Sequence, residues 1–531
     1  MKHLTVFLCK NLNNIMKRII YLMWCIFLTN VAWSQDLHVD SGASITTASG
    51  SVLFVGSNTS IHGSGSLTTN SDVAASGSFI LSGTTTGNIT YKRYIASTNW
   101  HLVAAPVTSQ DISNFVGVAG NAVADNTGGG NDNYAVSYYK NTNTPGTRWT
   151  YHNTVNTAPE NQENLTDSNF ITGQGYSMKR TAAGDYTFTG TMADTDVSVS
   201  IPTISGSTHL WSAIGNPFPS FLTVSEISAA NPNALDAGAF GYLYVWNGAS
   251  YVPESLTSSL QLAPGQAFMV RARSNGLSFV FSKTLQKHNS GTATFYRPST
   301  ATPTISIHLT KGTSSKSANL EFLDSATAGL DVGYDAGAYQ DGTPSFSINT
   351  HLVSDSQGID FTRQSLPISS LDSKVSIPLS INAGINEEVT FRADTNNLPD
   401  GVSVYLEDTL NNTFTNLTDT PLSLKITAAL SGIGRFYLLT TSGVLSTETN
   451  LSSALINVYK TSNGAVKVTG LTSGSTATFS LFTMSGQEVM ATKFIAQNVQ
   501  EILLPASLST GVYLVNIVSD LGTFHKKIVI E

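Results

Sequence analysis

Charged residues are scarce in this chain of 531 residues: Asp, Glu, Lys and Arg make up 12% of it, against roughly 25% in an average globular protein. After about residue 35 we find no apolar pattern with helical spacing. Ser, Thr, Asn and Gly are abundant instead, and these residues favour turns over helix interiors. Because 41% of the residues are hydrophobic, packed cores are still expected. The sequence therefore predicts a multidomain, all-β protein.

Clusters of positive charge are also missing. The first 34 residues hold four of the 27 Lys and Arg residues and none of the 35 Asp and Glu residues. The remainder thus has 23 basic against 35 acidic residues, a formal net charge of −12. Nucleic acids require concentrated Lys and Arg, and anionic membranes attract polybasic segments. The composition argues against both kinds of partner.

Cysteine does not occur after residue 25, since Cys9 and Cys25 are the only two in the sequence. The chain after residue 25 can form neither a disulfide nor a cysteine metal site, which is compatible with an extracellular location without proving it. We predict no cofactor and no metal site.

Residues 1–34 have the layout of a secretory signal peptide. Lys17-Arg18 precedes an apolar run from Ile19 to Leu28, which is shorter than the roughly 20 residues that a membrane-spanning helix needs. Ala32 and Ser34 are small residues at the −3 and −1 positions of a peptidase site. We predict cleavage between Ser34 and Gln35, and no transmembrane anchor.

Residues 35–88 are rich in Ser, Gly and Thr, with apolar residues six apart at Val55, Ile61, Leu67, Val73 and Phe79. This period favours a short β-solenoid-like segment, in which one apolar side chain per rung enters a narrow core. Twelve-residue hairpins, or a chance spacing in a low-complexity stretch, remain alternatives.

Residues 89–297 contain more aromatic residues and are predicted to be β-rich, as one domain or two. The strand Tyr242–Trp246 is followed by Asn247-Gly248, a strong hairpin signal. Its apolar residues on both faces predict a central strand covered on two sides. Tyr242, Tyr244 and Trp246 share one face and are candidates for stacking on sugar rings, with burial in the core as the alternative.

Residues 304–441 contain short strands separated by turn signals and are predicted to form a β-sandwich domain. Residues 442–454 have few apolar side chains and are predicted to be a linker. Residues 455–531 are predicted to form a small immunoglobulin-like β-sandwich, with strands near 477–482, 511–517 and 524–530.

This last segment carries several ordered motifs: Leu481-Phe482, Ser485 to Val489, Leu504 to Leu508, Gly511 to Val515, Gly522 and Lys526 to Val529. Together they resemble the type A sorting domain of type IX secretion cargo. The resemblance implies that the outer-membrane secretion machinery and its sorting peptidase are partners, and that the domain is removed after export to the cell surface or medium. It assigns the sorting motif to Gly486, Gly511, Tyr513, Gly522, Lys526 and Lys527.

Residues 89–441 are similar to segments of surface proteins exported by the same route, through Ile214 to Ser220, Ala263 to Val270, and Gly329 to Ala338 with Leu406 to Asp408. This resemblance carries no catalytic role. Asp324-Ser325-Ala326 and Asp408-Thr409-Leu410 resemble O-glycosylation acceptors of such bacteria, which makes Ser325 and Thr409 candidate sites.

Catalytic signatures such as H-E-x-x-H, G-x-S-x-G and the P-loop are absent from the sequence. We therefore expect an exported structural, adhesive or ligand-binding protein rather than an enzyme, with glycans or cell-surface and matrix ligands as partners. The alternative is an exported carbohydrate-active enzyme.

Overall fold

A computed structural model of the protein describes residues 36–126, 133–153, 162–164, 168–202, 209–248, 250–289, 302–371, 375–441, 456–461, 464–483, 487–497, 499–505, 508–509, 511–520 and 522–530. Strands dominate these residues, as the composition predicts. The only α-helices among them are α1 (Ile112–Gly117) and α2 (Val224–Ala229). No helix in the described ranges has both the length and the apolar character needed to cross a bilayer.

The N-terminal strands form three parallel stacks, in the orders β1-β4-β7, β2-β5-β8 and β3-β6. Leu37 lies opposite Thr59, and Ser44 lies opposite Ser66, so one turn of the coil takes 22 residues there. This is the predicted solenoid-like arrangement. The strands are β1 (Leu37–Val39), β2 (Ser44–Thr47), β3 (Val52–Val55), β4 (Thr59–Ile61), β5 (Ser66–Thr69), β6 (Ser78–Leu81), β7 (Thr85–Thr86) and β8 (Ile89–Ile95).

The apolar residues that are six apart in the sequence lie on successive sides of this coil, not on successive rungs. Val55, Leu67 and Phe79 are buried, and Ile61 is half-buried. Val73 is 77% exposed, so its predicted place in the core is wrong. The cause is a local turn: the Asp72 carboxylate accepts hydrogen bonds from the amides of the two alanines after Val73, and the valine at the turn is turned outward.

The coil continues directly into the next unit. Strand β8 pairs in parallel with β5 on one side and antiparallel with β14 (Gly184–Gly190) on the other. Leu67 and Phe79 of the coil share one hydrophobic cluster with Phe115, Phe170 and Phe188. Position 88 is therefore not a break in the core.

Two larger sheets follow, in the orders β12-β11-β10-β13-β9 and β16-β21-β18-β19, with the pairs β15-β22 and β17-β20 beside them. The hairpin predicted at Asn247-Gly248 is confirmed as β18-β19, and β18 is the predicted inner strand. The strands are β9 (Trp100–Val103), β10 (Asn133–Tyr139), β11 (Trp149–Asn153), β12 (Gln162–Asn164), β13 (Tyr176–Lys179), β15 (Val197–Ile201), β16 (Trp211–Gly215), β17 (Leu222–Thr223), β18 (Tyr242–Trp246), β19 (Tyr251–Ser255), β20 (Gln261–Leu262), β21 (Ala267–Arg271) and β22 (Leu277–Phe281).

An eleven-stranded sheet follows in the order β31-β30-β33-β28-β26-β27-β24-β23-β29-β32, with β25 beside β27. Phe391 and Phe436 lie on strands far apart in this order, yet their ring centroids are 4.9 Å apart. The sheet therefore curls around one core, as a sandwich requires. The strands are β23 (Thr304–Lys311), β24 (Ser314–Leu323), β25 (Ala336–Gly337), β26 (Ser347–Thr350), β27 (Phe361–Pro367), β28 (Ser376–Ala383), β29 (Glu388–Asn396), β30 (Ser403–Asp408), β31 (Thr413–Asn416), β32 (Leu422–Lys425) and β33 (Leu430–Thr441).

The C-terminal module consists of two sheets, β34-β35-β38 and β37-β36-β39-β40, around one core. Its predicted strands are confirmed, including the terminal hairpin β39-β40. The predicted linker, 442–454, lies outside the described residues. The strands are β34 (Asn457–Lys460), β35 (Ala465–Thr469), β36 (Thr476–Thr483), β37 (Glu488–Ile495), β38 (Val499–Leu503), β39 (Gly511–Ser519) and β40 (Gly522–Ile530).

Candidate functional site

The predicted row of stacking aromatics on β18 is only partly available to a ligand. Tyr242 and Tyr244 are fully buried, so their assignment to sugar stacking is wrong. The Tyr244 hydroxyl donates a 2.7 Å hydrogen bond to the Gly337 carbonyl, and the Arg363 guanidinium lies 5.1 Å from the centroid of the Tyr242 ring. The eleven-stranded domain thus covers this face of β18. Trp246, at the strand end, remains half-buried.

Trp246 belongs instead to an aromatic cleft of about 230 Å³. Its walls carry five half-buried aromatic side chains, which come from four strands. These side chains are Trp100 on β9, Trp149 and Tyr151 on β11, Trp246 on β18 and Tyr251 on β19. We call this site the aromatic cleft.

The aromatic cleft forms a depression in the five-stranded sheet, because small side chains lie between its large ones. Across the five-stranded sheet, Leu102 lies opposite Ser177, Ser177 opposite Ser137, and Ser137 opposite Tyr151. The Ser137 hydroxyl donates to the Ser177 carbonyl at 3.2 Å, so this polar group is satisfied within the sheet. A row of large, small, small and large side chains leaves a trough on this face of the sheet.

The second sheet closes the trough and holds its rings in place. The Trp246 indole nitrogen donates a 2.8 Å hydrogen bond to the Trp100 carbonyl, which joins the two sheets. The Trp246 and Tyr251 ring centroids are 4.9 Å apart at 61°, and those of Trp100 and Tyr151 are 5.9 Å apart at 67°. Such edge contacts fix the rings before any ligand arrives.

The aromatic cleft is electrically neutral. Its described lining contains no Asp, Glu, Lys or Arg. Burial raises the pKa of Tyr151 and of Tyr251, so both phenols stay protonated at neutral pH and can donate hydrogen bonds. His101 also lines the cleft, and burial, together with the Arg93 charge, lowers its pKa, so this imidazole is neutral near pH 7. The site suits an uncharged ligand with ring faces and hydroxyl groups.

The residues of the sorting motif come together at the terminal hairpin. Gly511 begins β39, and Gly522 begins β40. The Tyr513 hydroxyl donates to the Ser509 carbonyl at 2.9 Å. The two lysines have different environments: Lys526 is half-buried, whereas Lys527 is exposed.

Lys526 ties the two sheets of the C-terminal module together. Its ammonium group donates a 2.6 Å hydrogen bond to the Asn457 amide oxygen on β34. Burial lowers the pKa of Lys526 to about 8, against the opposing effect of Asp355. Gly486 of the motif, and the predicted cleavage position Ser34-Gln35, lie outside the described residues.

The two candidate glycosylation sites differ in accessibility. Ser325 is exposed in the turn after β24. Thr409 is half-buried, and its hydroxyl donates to the carbonyls of Gly434 and Arg435 at 3.2 and 2.9 Å. Sequence reasoning missed the aromatic cleft, because its residues come from three separate stretches between Trp100 and Tyr251 and lie on two different sheets.

The residues that the structure describes contain no group of three or more His, Cys, Asp or Glu side chains that could hold a metal ion.

Comparison with protein families gives two matches. Residues 460–531 match the family described as "Secretion system C-terminal sorting domain", and residues 247–439 match a "Domain of unknown function (DUF8693)". No curated protein matches the chain. The C-terminal module is therefore the sorting domain of a type IX secretion cargo protein.

Proposed function

Since this type IX cargo is exported through the outer membrane to the cell surface or extracellular space, we propose that it works there as a non-catalytic binding protein that adheres to glycans through the aromatic cleft. The observation that carries this proposal is the convergence of Trp100, Trp149, Tyr151, Trp246 and Tyr251 around one neutral cavity.

Aromatic rings and protonated phenols match the chemistry of a sugar. The apolar C–H faces of a pyranose pack on aromatic rings, which offer large apolar surfaces. Its hydroxyl groups find donors and acceptors in Tyr151, Tyr251 and the half-buried Ser177 hydroxyl, which all line the cleft. A cavity of about 230 Å³ lies below the roughly 300–1,000 Å³ of drug-sized ligand pockets. This size favours one sugar unit, at a chain end or within a polysaccharide.

The alternative function is that of an exported carbohydrate-active enzyme. Most glycoside hydrolases use two carboxyl groups, about 5–10 Å apart, on either side of the scissile bond. The described lining of the aromatic cleft contains no carboxylate, which favours binding over hydrolysis at this site.

A glycan array tests the proposal directly. The chain without residues 1–34 is applied to immobilised polysaccharides and oligosaccharides, beside Trp246→Ala and a control variant, Tyr334→Ala. Tyr334 is an exposed aromatic residue that lies away from the cleft. We expect binding that falls at least about tenfold in Trp246→Ala and is unchanged in Tyr334→Ala.

Equal binding by all three proteins, or no glycan binding at all, would contradict the proposal. Each bound glycan is then incubated with the wild-type protein, and its reducing ends are measured. Steady release of reducing ends, lost in Trp246→Ala, would support the enzyme instead.

A further inference from the structure

Strand β33 of the eleven-stranded domain is buried on both faces. Phe436 and Leu438 belong to the core of the domain, as the inner face of a sandwich strand should. The alternating residues Tyr437, Leu439 and Thr441 point the other way, and they are also buried. An outer face of a single sandwich would be in contact with water, so another part of the chain must cover it.

The sorting domain covers this face with its three-stranded sheet, β34-β35-β38. Gly434 of β33 lies directly against the Val499 side chain of β38, where a Cβ atom would have no room. The Tyr459 ring on β34 packs edge-on against His351, with centroids 6.3 Å apart at 62°. The Tyr437 hydroxyl lies close to Thr469 on β35. All three strands of this sheet thus contact the domain before them.

A second contact lies at the terminal strand of the sorting domain. Lys526, Lys527 and Ile528 line a cavity of about 360 Å³ together with Asp355 and neighbouring residues of the eleven-stranded domain. Asp355 is exposed and acts electrostatically on Lys526. A carboxylate and an ammonium group of opposite charge therefore face one another across the two domains.

We propose that the sorting domain is a cap, which binds the outer face of β33 in the precursor and uncovers that face when it leaves. The cap has a tyrosine and a valine that pack against the eleven-stranded domain, and a lysine that lines the same cavity as Asp355 at the rim. Cleavage within 442–454 alone does not release it. The domain stays bound by these contacts until it is pulled away, and only then does the surface around Tyr437 and Leu439 become accessible.

The test uses the full chain without its leader, with the recognition sequence of a specific protease placed between 443 and 453. After cleavage, the two pieces are run on a sizing column, and native mass spectrometry gives their stoichiometry. We expect the pieces to co-elute one to one. In covalent labelling of side chains, Tyr437 and Leu439 should stay unlabelled after the cut and become labelled when the pieces are separated.

Two pairs of variants connect co-elution to the named contacts. Val499→Asp should separate the pieces, whereas Leu514→Asp, an exposed position on the opposite sheet, should leave them together. Asp355→Lys should weaken co-elution at low salt, with Asp324→Lys as the exposed control. This second pair lies on the body and leaves the fold of the sorting domain intact.

Separation of the wild-type pieces at micromolar concentration immediately after the cut would overturn the proposal. So would equal behaviour of both variants in each pair, since the contacts would then contribute nothing to docking. A retained complex that is sensitive to Val499→Asp and to Asp355→Lys supports the cap.

Discussion

The indole nitrogen of Trp246 donates a 2.8 Å hydrogen bond to the carbonyl oxygen of Trp100. These residues are far apart in the chain and belong to different sheets, so this bond joins the two walls of the aromatic cleft. Under the proposed glycan-binding function, the indole has two roles: it offers a ring surface to the ligand and holds the opposite wall in place.

Replacing Trp246 by phenylalanine separates these two roles. Trp246→Phe keeps an aromatic ring but removes the donor, and leaves the Trp100 carbonyl without this partner. We expect glycan affinity to fall by roughly 1 kcal/mol, the typical net value of one hydrogen bond, which is less than the loss in Trp246→Ala. Isothermal titration with a glycan identified on the array measures both. Unchanged affinity in Trp246→Phe would show that the hydrogen bond adds nothing, and equal losses in the two variants would show that the ring surface adds nothing.

The N-terminal coil offers a second prediction. Leu67→Ala removes a buried side chain from the core that the coil shares with the next unit, so it should destabilise this region by about 2–5 kcal/mol. Val73→Ala changes an exposed side chain and should stay within about 0.5 kcal/mol. Because a multidomain chain does not unfold in one step, native-state hydrogen exchange of peptides from β5 is the suitable measurement. Similar effects at the two positions would contradict the observed burial.

Asp408 and Arg435 form a buried, two-bonded ion pair, with distances of 2.8 and 2.7 Å. Removing one partner leaves a buried charge uncompensated, so Asp408→Ala should cost about 3–5 kcal/mol. The exposed pair Arg392–Asp394 is the matched control, and Asp394→Ala should cost less than about 1 kcal/mol. Hydrogen exchange of β30 and β33 peptides reports the first value, and exchange of β29 peptides reports the second. Comparable losses would mean that burial does not matter here.

The buried carboxyl group of Glu407 should make the stability of the folded protein depend on pH. It is buried on the outer face of β30, and burial, with the neighbouring Asp408 charge, raises its pKa to about 7. The folded protein therefore favours the protonated carboxyl, and its stability should fall as the pH rises from about 4.5 to above 7. Glu407→Gln mimics the protonated state and should remove this part of the pH dependence, up to about 3 kcal/mol. Hydrogen exchange of β30 peptides between pH 5 and 8.5 measures it, after correction for the intrinsic exchange rate. An unchanged slope would contradict the raised pKa.

The last prediction concerns the part of the sorting domain that export requires. Removal of residues 526–531 takes away the second half of β40, the outer strand of the terminal hairpin, with Ile528 and Ile530 from the core. We expect the truncated chain to stay in the periplasm, as deletion of 455–531 should also cause. Cell fractionation and blotting follow the protein, with Ser325→Ala as a control at an exposed site away from the hairpin. Normal delivery of the truncated chain would show that this strand is not needed for sorting.

In the wild type, we expect cleavage between Gly443 and Ser453.

The sequence alone determined the local elements and the export route. Short apolar-rich segments predicted strands around 305–309 and 434–439, and Asn247-Gly248 specified a hairpin through its turn preference. The ordered motifs from Leu481 onwards identified the sorting domain. These signals are local, since each depends on residues that are neighbours in the chain or in one hairpin.

The tertiary structure decided which side chains remain accessible. Tyr242 and Tyr244 alternate on their strand in the same way as a surface row would, but the 304–441 domain packs against them and contributes to their burial. Trp100, Trp149 and Trp246 meet because two sheets pack together, and no periodicity encodes that contact. The burial of the outer face of β33 also depends on a contact between domains, since a separate domain packs against it.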